Sequence, residues 1–375
     1  MPSLDVLTRV TGTKKSPKEK AMKQIVSKRT RGFLQALIGT LAVTPDATLL
    51  RLAEAEGAPL WVATSIKLLF IGLFCALHPL STGARNVVNS MHLGPTHCVL
   101  AAAGQGLINL GYSLAFLTTT VSEALMLIML HPLWGAIGGR IFLKEQIPRH
   151  TVAALVSSLI AVLVIFVPPI VLDDGASGLR SSFHGNLIAL LTGVTLAGTI
   201  LVNRHAGMHR PEELGPALEL AAGAGSFILG LITLPLACAE APVLLANATN
   251  ATTPLPLAAE SSGSCAGFGA LRLPFWPLIA TDALCIAVCT VLSTVYAPRH
   301  IFAAEVGLVL LGEQILSPVW AYIGVGEAPA TWTLGGGALL IVTLAAHELA
   351  ALRQERLETS NAASTTTLEK DSSAI

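Results

Sequence analysis

Residues 123–148 read EALMLIMLHPLWGAIGGRIFLKEQIP, and residues 304–329 read AEVGLVLLGEQILSPVWAYIGVGEAP. Each stretch is apolar and long enough to cross a bilayer, because a helix rising about 1.5 Å per residue covers roughly 30 Å of hydrocarbon in about 20 residues. Each also holds polar groups that a purely lipid-facing helix avoids. Glu123, His131 and Glu145 map onto Glu305, Glu313 and Glu327 at one shared offset of 182 positions. A Pro-x-Trp motif follows in both stretches, as Pro132 with Trp134 and Pro318 with Trp320. The second motif is displaced by four positions within that alignment, about one helical turn, so it keeps the same face. A separate echo begins at Gly32. GFLQAL with Arg51 recurs as GNLIAL with Arg204, at an offset of 153. The chain reads as two similar halves.

Working outward, apolar runs of spanning length cover residues 33–52, 59–78, 96–118, 121–142, 150–171, 185–204, 214–236, 276–297, 301–323 and 330–351. Turn signals rich in Pro, Gly and charge separate most of them, as in PLSTGARN, KEQIPRH and RPEELGP. The expected fold class is an all-α membrane protein of about ten transmembrane helices. Five helices per half is an odd number, so the second copy crosses the bilayer inverted relative to the first, an arrangement shared by many transporters. The expected organisation is a basic cytosolic N-terminal tail over 1–31 and a first five-helix repeat over 32–171. A connecting loop over 172–184 leads to a second repeat over 185–352, with an outer loop at 238–275 and a disordered tail over 353–375.

Composition agrees. Of 375 residues 53% are hydrophobic and only 12% charged, and the mean hydropathy of +0.67 lies outside the range of ordinary soluble domains. Twenty-three basic and 23 acidic residues cancel, so net charge argues for no nucleic-acid partner. The expected partners are the lipid bilayer, a small-molecule solute and, in some assemblies, a second copy in a homodimer. No phosphate-binding loop, nucleophile elbow or metal-ligand spacing occurs, so neither enzyme activity nor a metal or other cofactor is expected.

Charge asymmetry sets the orientation. Nine Lys and Arg fall between Arg9 and Arg31, which holds that segment in the cytosol. With ten crossings, ten further basic residues fall on the same side, and Arg51, Arg180 and Arg272 lie opposite. Both termini are then cytosolic, and Trp61, Trp276 and Trp332 lie at outer helix ends, where indole rings favour the headgroup zone. The outer loop holds overlapping sequons at Asn247 and Asn250, candidates for glycosylation, and Cys238 and Cys265 are candidates for a disulfide there. These features fit the plasma membrane or an endomembrane, with an organellar envelope as the alternative. Cys75, Cys98, Cys285 and Cys289 lie in apolar runs and read as small hydrophobes.

Charges at mid-membrane depth are costly and tend to face a bundle interior. Glu313 and its counterpart His131 lie deep in their runs and are the leading candidates for binding a solute or a proton. Asp46 and Lys67 lie at matching depths, seven and eight residues from the outer ends of their helices, and are expected to pair. Pro45 removes a backbone donor and leaves a carbonyl one turn earlier open to a ligand. Gln105, Asn109 and Tyr112 share one face of the third helix, where they line a polar path or simply pack. Glu123 and Glu305 stand near helix starts, where a carboxylate complements the dipole. Glu145 and Glu327 read as caps or hinges, Gly335, Gly336 and Gly337 as a close helix contact, and Asp282 and Glu219 as lesser acids with no repeat partner.

TPDATLLRL, APRHIFAAEV and the two stretches quoted first resemble the drug/metabolite transporter superfamily, in particular its EamA-like branch. The similarity spans about residues 32–352, apart from the 238–275 insertion. The resemblance implies two inverted five-helix repeats around a central cavity, moving a small organic metabolite by alternating access. His131 replaces an Asn common in such proteins, and Lys67 an Arg. The expected function is secondary-active transport, with proton coupling through Glu313 and His131. A receptor or scaffold on the same fold is the alternative, and a membrane-embedded enzyme using His131 or His78 fits less well, since no nucleophile is placed beside either.

Overall fold

A computed structural model describes residues 17–81, 83–118, 121–144, 147–172, 183–209, 214–249, 271–325, 334–339, 341–343, 345–347, 349–350 and 353–354. Among these residues every regular element is a helix. In chain order they are α1 Pro17–Val43, α2 Asp46–Ala55, α3 Leu60–Ser81, α4 Ala84–Met91, α5 Pro95–Thr118, α6 Val121–Ile128 and α7 His131–Phe142. There follow α8 Arg149–Leu172, α9 Phe183–His209, α10 Gly215–Thr249, α11 Phe275–Cys289, α12 Ala303–Leu310 and α13 Glu313–Val325. A π-helical stretch, Thr290–Tyr296, and a 3-10 turn, Ala297–Arg299, continue α11 without a loop. A last apolar segment runs over Leu334–His347.

Six helical spans are long and apolar enough to cross a membrane: Lys28–Ala55, Leu60–Ser81, Pro95–Thr118, His184–His209, Gly215–Glu240 and Phe275–Arg299. Surface and interior are exchanged relative to a water-soluble protein. Phe142 is 78% exposed and Ile323 67%, whereas Lys67 and Asp282 are each 0% exposed. Lipid as solvent accounts for both, since apolar side chains gain nothing by leaving hydrocarbon and charges lose most by entering it.

Several apolar runs are not the single rods that their hydropathy suggests. The 33–52 run divides into α1 and α2 at Thr44–Pro45, the 121–142 run into α6 and α7 at Met129–Leu130, and the 301–323 run into α12 and α13 at Leu311–Gly312. Proline, with no N–H to donate, forces the first division. At the second, the ladder tightens to i→i+3 as the Leu130 N–H donates to the Leu127 carbonyl at 3.4 Å, just before His131-Pro132. At the third, the Gly312 N–H donates to the Val309 carbonyl at 3.0 Å. Helix α1 begins inside the basic head, and α10 runs 13 residues past the end of its apolar run at 236, into the expected outer loop. Its extension, ACAEAPVLLANAT, is rich in Ala and Leu, which favour helix. The Trp61 N–H donates to Glu240 Oε2 at 2.8 Å and holds this extension against the start of α3.

Small residues let the helices approach closely. Helix α10 lies between α3 and α5. A Cβ on Gly223 would meet Cys75 Cβ of α3 at 2.8 Å, and one on Gly225 would run into the Ala102 carbonyl oxygen of α5. Two glycines spaced two apart point about 200° from each other on a helix, so the pair serves both neighbours.

Candidate functional site

The break at Pro45 organises the site. The carbonyl that proline leaves without a backbone donor, that of Leu41, accepts the Thr44 hydroxyl at 2.9 Å. The protein fills from within the acceptor that sequence reading leaves open to a ligand. Trp320 Nε1 donates to Thr44 Oγ1 at 2.8 Å, and Ser317 Oγ donates to the Thr44 carbonyl at 3.0 Å. Trp320 of the second Pro-x-Trp motif thereby fastens α13 to the break in the first span.

Asp46 emerges in the first turn of α2 with its side chain buried, where the helix N-terminus favours a carboxylate. Lys67 Nζ donates to Asp46 Oδ1 at 2.5 Å, so the pairing expected from matched depth is present. A third member joins from α11. Asp282 Oδ2 lies 2.9 Å from Lys67 Nζ, an ion pair of poor hydrogen-bond directionality, and Asp46 adjoins Asp282 as well. Two carboxylates thus share one ammonium. With all three ionised the cluster holds a charge of −1 in a setting shielded from water.

Beside this cluster lies a small cavity of about 40 Å³. Its charged wall residues are Asp46 and Glu313, and its other polar wall residues are Gln105, Asn109, Tyr112, Cys289, Thr290 and Thr294. Helix α5 contributes Gln105, Asn109 and Tyr112 from one face, as their spacing predicts. The π-helical stretch supplies Thr290 and Thr294, and π segments recur at functional sites in helical proteins. Gln105 Nε2 donates to Asn109 Oδ1 at 3.3 Å and to Thr290 Oγ1 at 3.1 Å, and Gln105 Oε1 accepts Thr294 Oγ1 at 3.0 Å. Asn109 Nδ2 donates to Ser226 Oγ at 2.9 Å. The amides hold one another and the bundle together.

Glu313 is the first residue of α13, immediately after the break at Leu311–Gly312, and is 2% exposed. Among the described residues it has no hydrogen-bond or ion-pair partner. It lines the cavity.

His131 is elsewhere. It begins α7 after the corresponding break and is 1% exposed, with Nδ1 3.2 Å from the Ile128 carbonyl and the Gly307 backbone of α12 beside the ring. It is not a cavity wall residue. His131 stands instead where α7 packs on α12, with Pro132 3.0 Å from the Cβ position of Gly307.

Glu305 behaves as a helix-start acid, accepting the Phe302 N–H at 3.2 Å and pairing with Arg29 at 3.2 Å. The side chain of Glu123, the residues Glu145 and Glu327, and both sequon side chains lie outside the described residues. Cys238 is disulfide-bonded, while Cys265 lies outside the described residues; Cys75, Cys98, Cys285 and Cys289 are free thiols.

Two clusters escape sequence reading. Glu219 of α10, 1% exposed, approaches His78 Nδ1 at 3.1 Å and accepts the Tyr296 hydroxyl at 3.1 Å. The potential ligand atoms of His150, Glu305 and His347 all lie within 4.8 Å of one another, the one described grouping with metal-ligating chemistry. Arg29 already occupies part of Glu305, and its charge opposes a cation there. These residues are 155 and 42 positions apart, so no spacing motif exists to find.

No family model matches the chain, and no curated protein matches it. A solved structure known as "Crystal structure of protein" is similar, with a TM-score of 0.53 and 16% identity over 87% of this chain and 99% of that one. At that identity the likeness speaks for the fold alone.

Proposed function

We propose that the chain is a secondary-active transporter of a small organic solute, working by alternating access around the cavity walled by Asp46 and Glu313. The observation that carries this reading is Glu313: a buried carboxylate with no partner among the described residues, at the broken point of a helix, lining a cavity. Such a group is costly as a lone anion, so a proton or a solute accompanies it, and exchange of one for the other couples the two movements. Discontinuous helices meeting at a central site are how many transporters expose backbone ends and charged groups to their cargo.

The ten-crossing, two-repeat architecture and the EamA-like resemblance belong to the same proposal. Its support is a coincidence of register. Helices α6 and α7 span 121–128 and 131–142, and adding 182 to 121, 128 and 131 gives 303, 310 and 313, the bounds of α12 and the start of α13. Polar side chains and helix breaks thus repeat at one offset. Counting each broken pair as one crossing, and adding α8 and Leu334–His347 to the six long spans, gives ten.

Uptake into proteoliposomes under an imposed proton gradient tests the reading. Glu313→Gln is expected to remove the pH dependence of uptake while leaving the elution profile of the purified protein unchanged. Identical pH profiles for the two proteins overturn it. A receptor or scaffold on this fold would show no gradient-driven uptake in either.

A further inference from the structure

We infer that His150, Glu305 and His347 form a site for a divalent transition-metal ion of the zinc class, separate from the cavity of Asp46 and Glu313, and that the ion takes Glu305 in exchange for Arg29.

Two imidazoles and one carboxylate, with water in the fourth position, make a tetrahedral zinc site. Nitrogen donors select zinc, copper or nickel over magnesium and calcium, which prefer oxygen. One ligand atom from each of the three residues lies within 4.8 Å of the other two. Bonds of about 2.0–2.2 Å set tetrahedral ligand atoms about 3.4 Å apart, so side-chain rotations that close the trio by at most about 1.4 Å complete the shell.

Separate elements supply the ligands. His150 stands in the first turn of α8, Glu305 in the first turn of α12, and His347 at the end of Leu334–His347. The two imidazole rings are 5.3 Å apart between centroids. Nε2 of His150 is buried and has no hydrogen-bond partner among the described residues. A buried polar atom costs free energy until it is paired, and coordination pairs it. Thr151 Oγ1 lies 3.2 Å from His347 Nε2, and the Phe302 N–H donates to Glu305 Oε2 at 3.2 Å. Outer partners of this kind orient the ligands of a metal site. Arg29, Glu305 and His347 share the wall of a cavity of about 10 Å³, near the size of one water. It has room for one ion.

Arg29 is the competitor. Its Nη2 lies 3.2 Å from Glu305 Oε1, and its side chain is 20% exposed, which gives the guanidinium a route to water. A dication attracts the carboxylate about twice as strongly as a guanidinium at equal distance, and gains bonds to two imidazoles besides. The two cations repel each other at this range, so one leaves as the other enters. The exchange takes Glu305 of α12 away from α1 and clamps it to α8 and the last apolar segment.

The test uses the full-length chain in detergent, purified without a histidine tag and stripped of metal. Zinc is titrated calorimetrically, and cobalt(II) is followed by the visible absorption it gains in a four-coordinate site. The expected result is one zinc ion per chain with Kd below about 10 μM, undisturbed by magnesium or calcium at about 1 mM. His150→Ala is expected to weaken binding at least about tenfold, and Arg29→Gln to tighten it at least about threefold. Nε2 of His150 has no partner to lose, so the first variant is expected to fold. Thermal unfolding of the metal-free variants checks this, and His347→Asn is a second ligand variant with the same expected loss. Zinc binding no tighter than about 100 μM in the parent overturns the inference. So does affinity that survives His150→Ala and His347→Asn but falls in His205→Ala, which puts the ion on the neighbouring histidines His97, His205 and His209 of α5 and α9. Unchanged or weaker binding in Arg29→Gln overturns the exchange.

Discussion

Lys67 holds two acids, and its removal should be the most damaging single change in the molecule. Lys67→Met leaves Asp46 and Asp282 facing each other without a cation. Breaking a buried charge pair costs about 3–5 kcal/mol in soluble proteins, so the variant is expected to aggregate, or to melt far below the parent, when followed by fluorescence-detected size exclusion. Reversing the pair, as Asp46→Lys with Lys67→Asp, is an ordinary rescue for two partners. Position 46 adjoins Asp282 as well, so the swap keeps one cation among two acids and the double variant is expected to melt closer to the parent than Lys67→Met does. A double variant no more stable than Lys67→Met would mean that the three positions do not form one cluster. Trp320→Phe removes one hydrogen bond, to Thr44 Oγ1, and is expected to cost about 1 kcal/mol by thermal unfolding, with Thr44→Val matching it and the double variant adding little. The Asp46–Lys67 pair was legible in the sequence because helix depth follows directly from residue count. Asp282 was not, because it comes from a helix 215 positions beyond Lys67 and has no repeat counterpart. Nor was the loss of His131 from the cavity, since equal depth in two helices fixes height in the bilayer but not direction around the bundle.

Among the elements, α10 depends on what its glycines leave out. Gly225→Val drives a branched side chain into the Ala102 carbonyl, and overpacking of this kind costs about 1–3 kcal/mol. Gly198→Ala on α9, where a Cβ would meet nothing within 4 Å, is the matched control and is expected to leave the melting temperature unchanged or raise it, because alanine favours helix. Equal losses at both positions would show that the close α5–α10 crossing contributes nothing specific. The helix breaks were hidden from hydropathy for a physical reason: a two-residue turn of Met, Leu or Gly stays apolar, so a window averaged over some 20 residues passes across it. The residues that mark the breaks were nevertheless conspicuous. His131 and Glu313 each open the second half-helix, and their shared offset pointed to those positions without revealing that a helix begins there.

For the molecule as a whole, the sequence supplied the class of fold through composition and run length alone, since those quantities report the solvent and not the packing. It supplied the site only in outline. Orientation remains a proposal, and it has a plain check: protease-accessible tags at the two ends should be cut from the same side of sealed vesicles, and cleavage from opposite sides would contradict an even number of crossings. One dimension bears on that experiment. At 35 residues, α10 measures about 52 Å, against roughly 30 Å of hydrocarbon. An upright α10 thus carries some 20 Å past the lipid tails, with the Cys238 cross-link and the Glu240 contact to α3 near the base of that extension. An antibody fragment raised against that mast would enlarge a small, almost featureless particle and give electron microscopy a fiducial, at a distance from the cavity that leaves the solute path open.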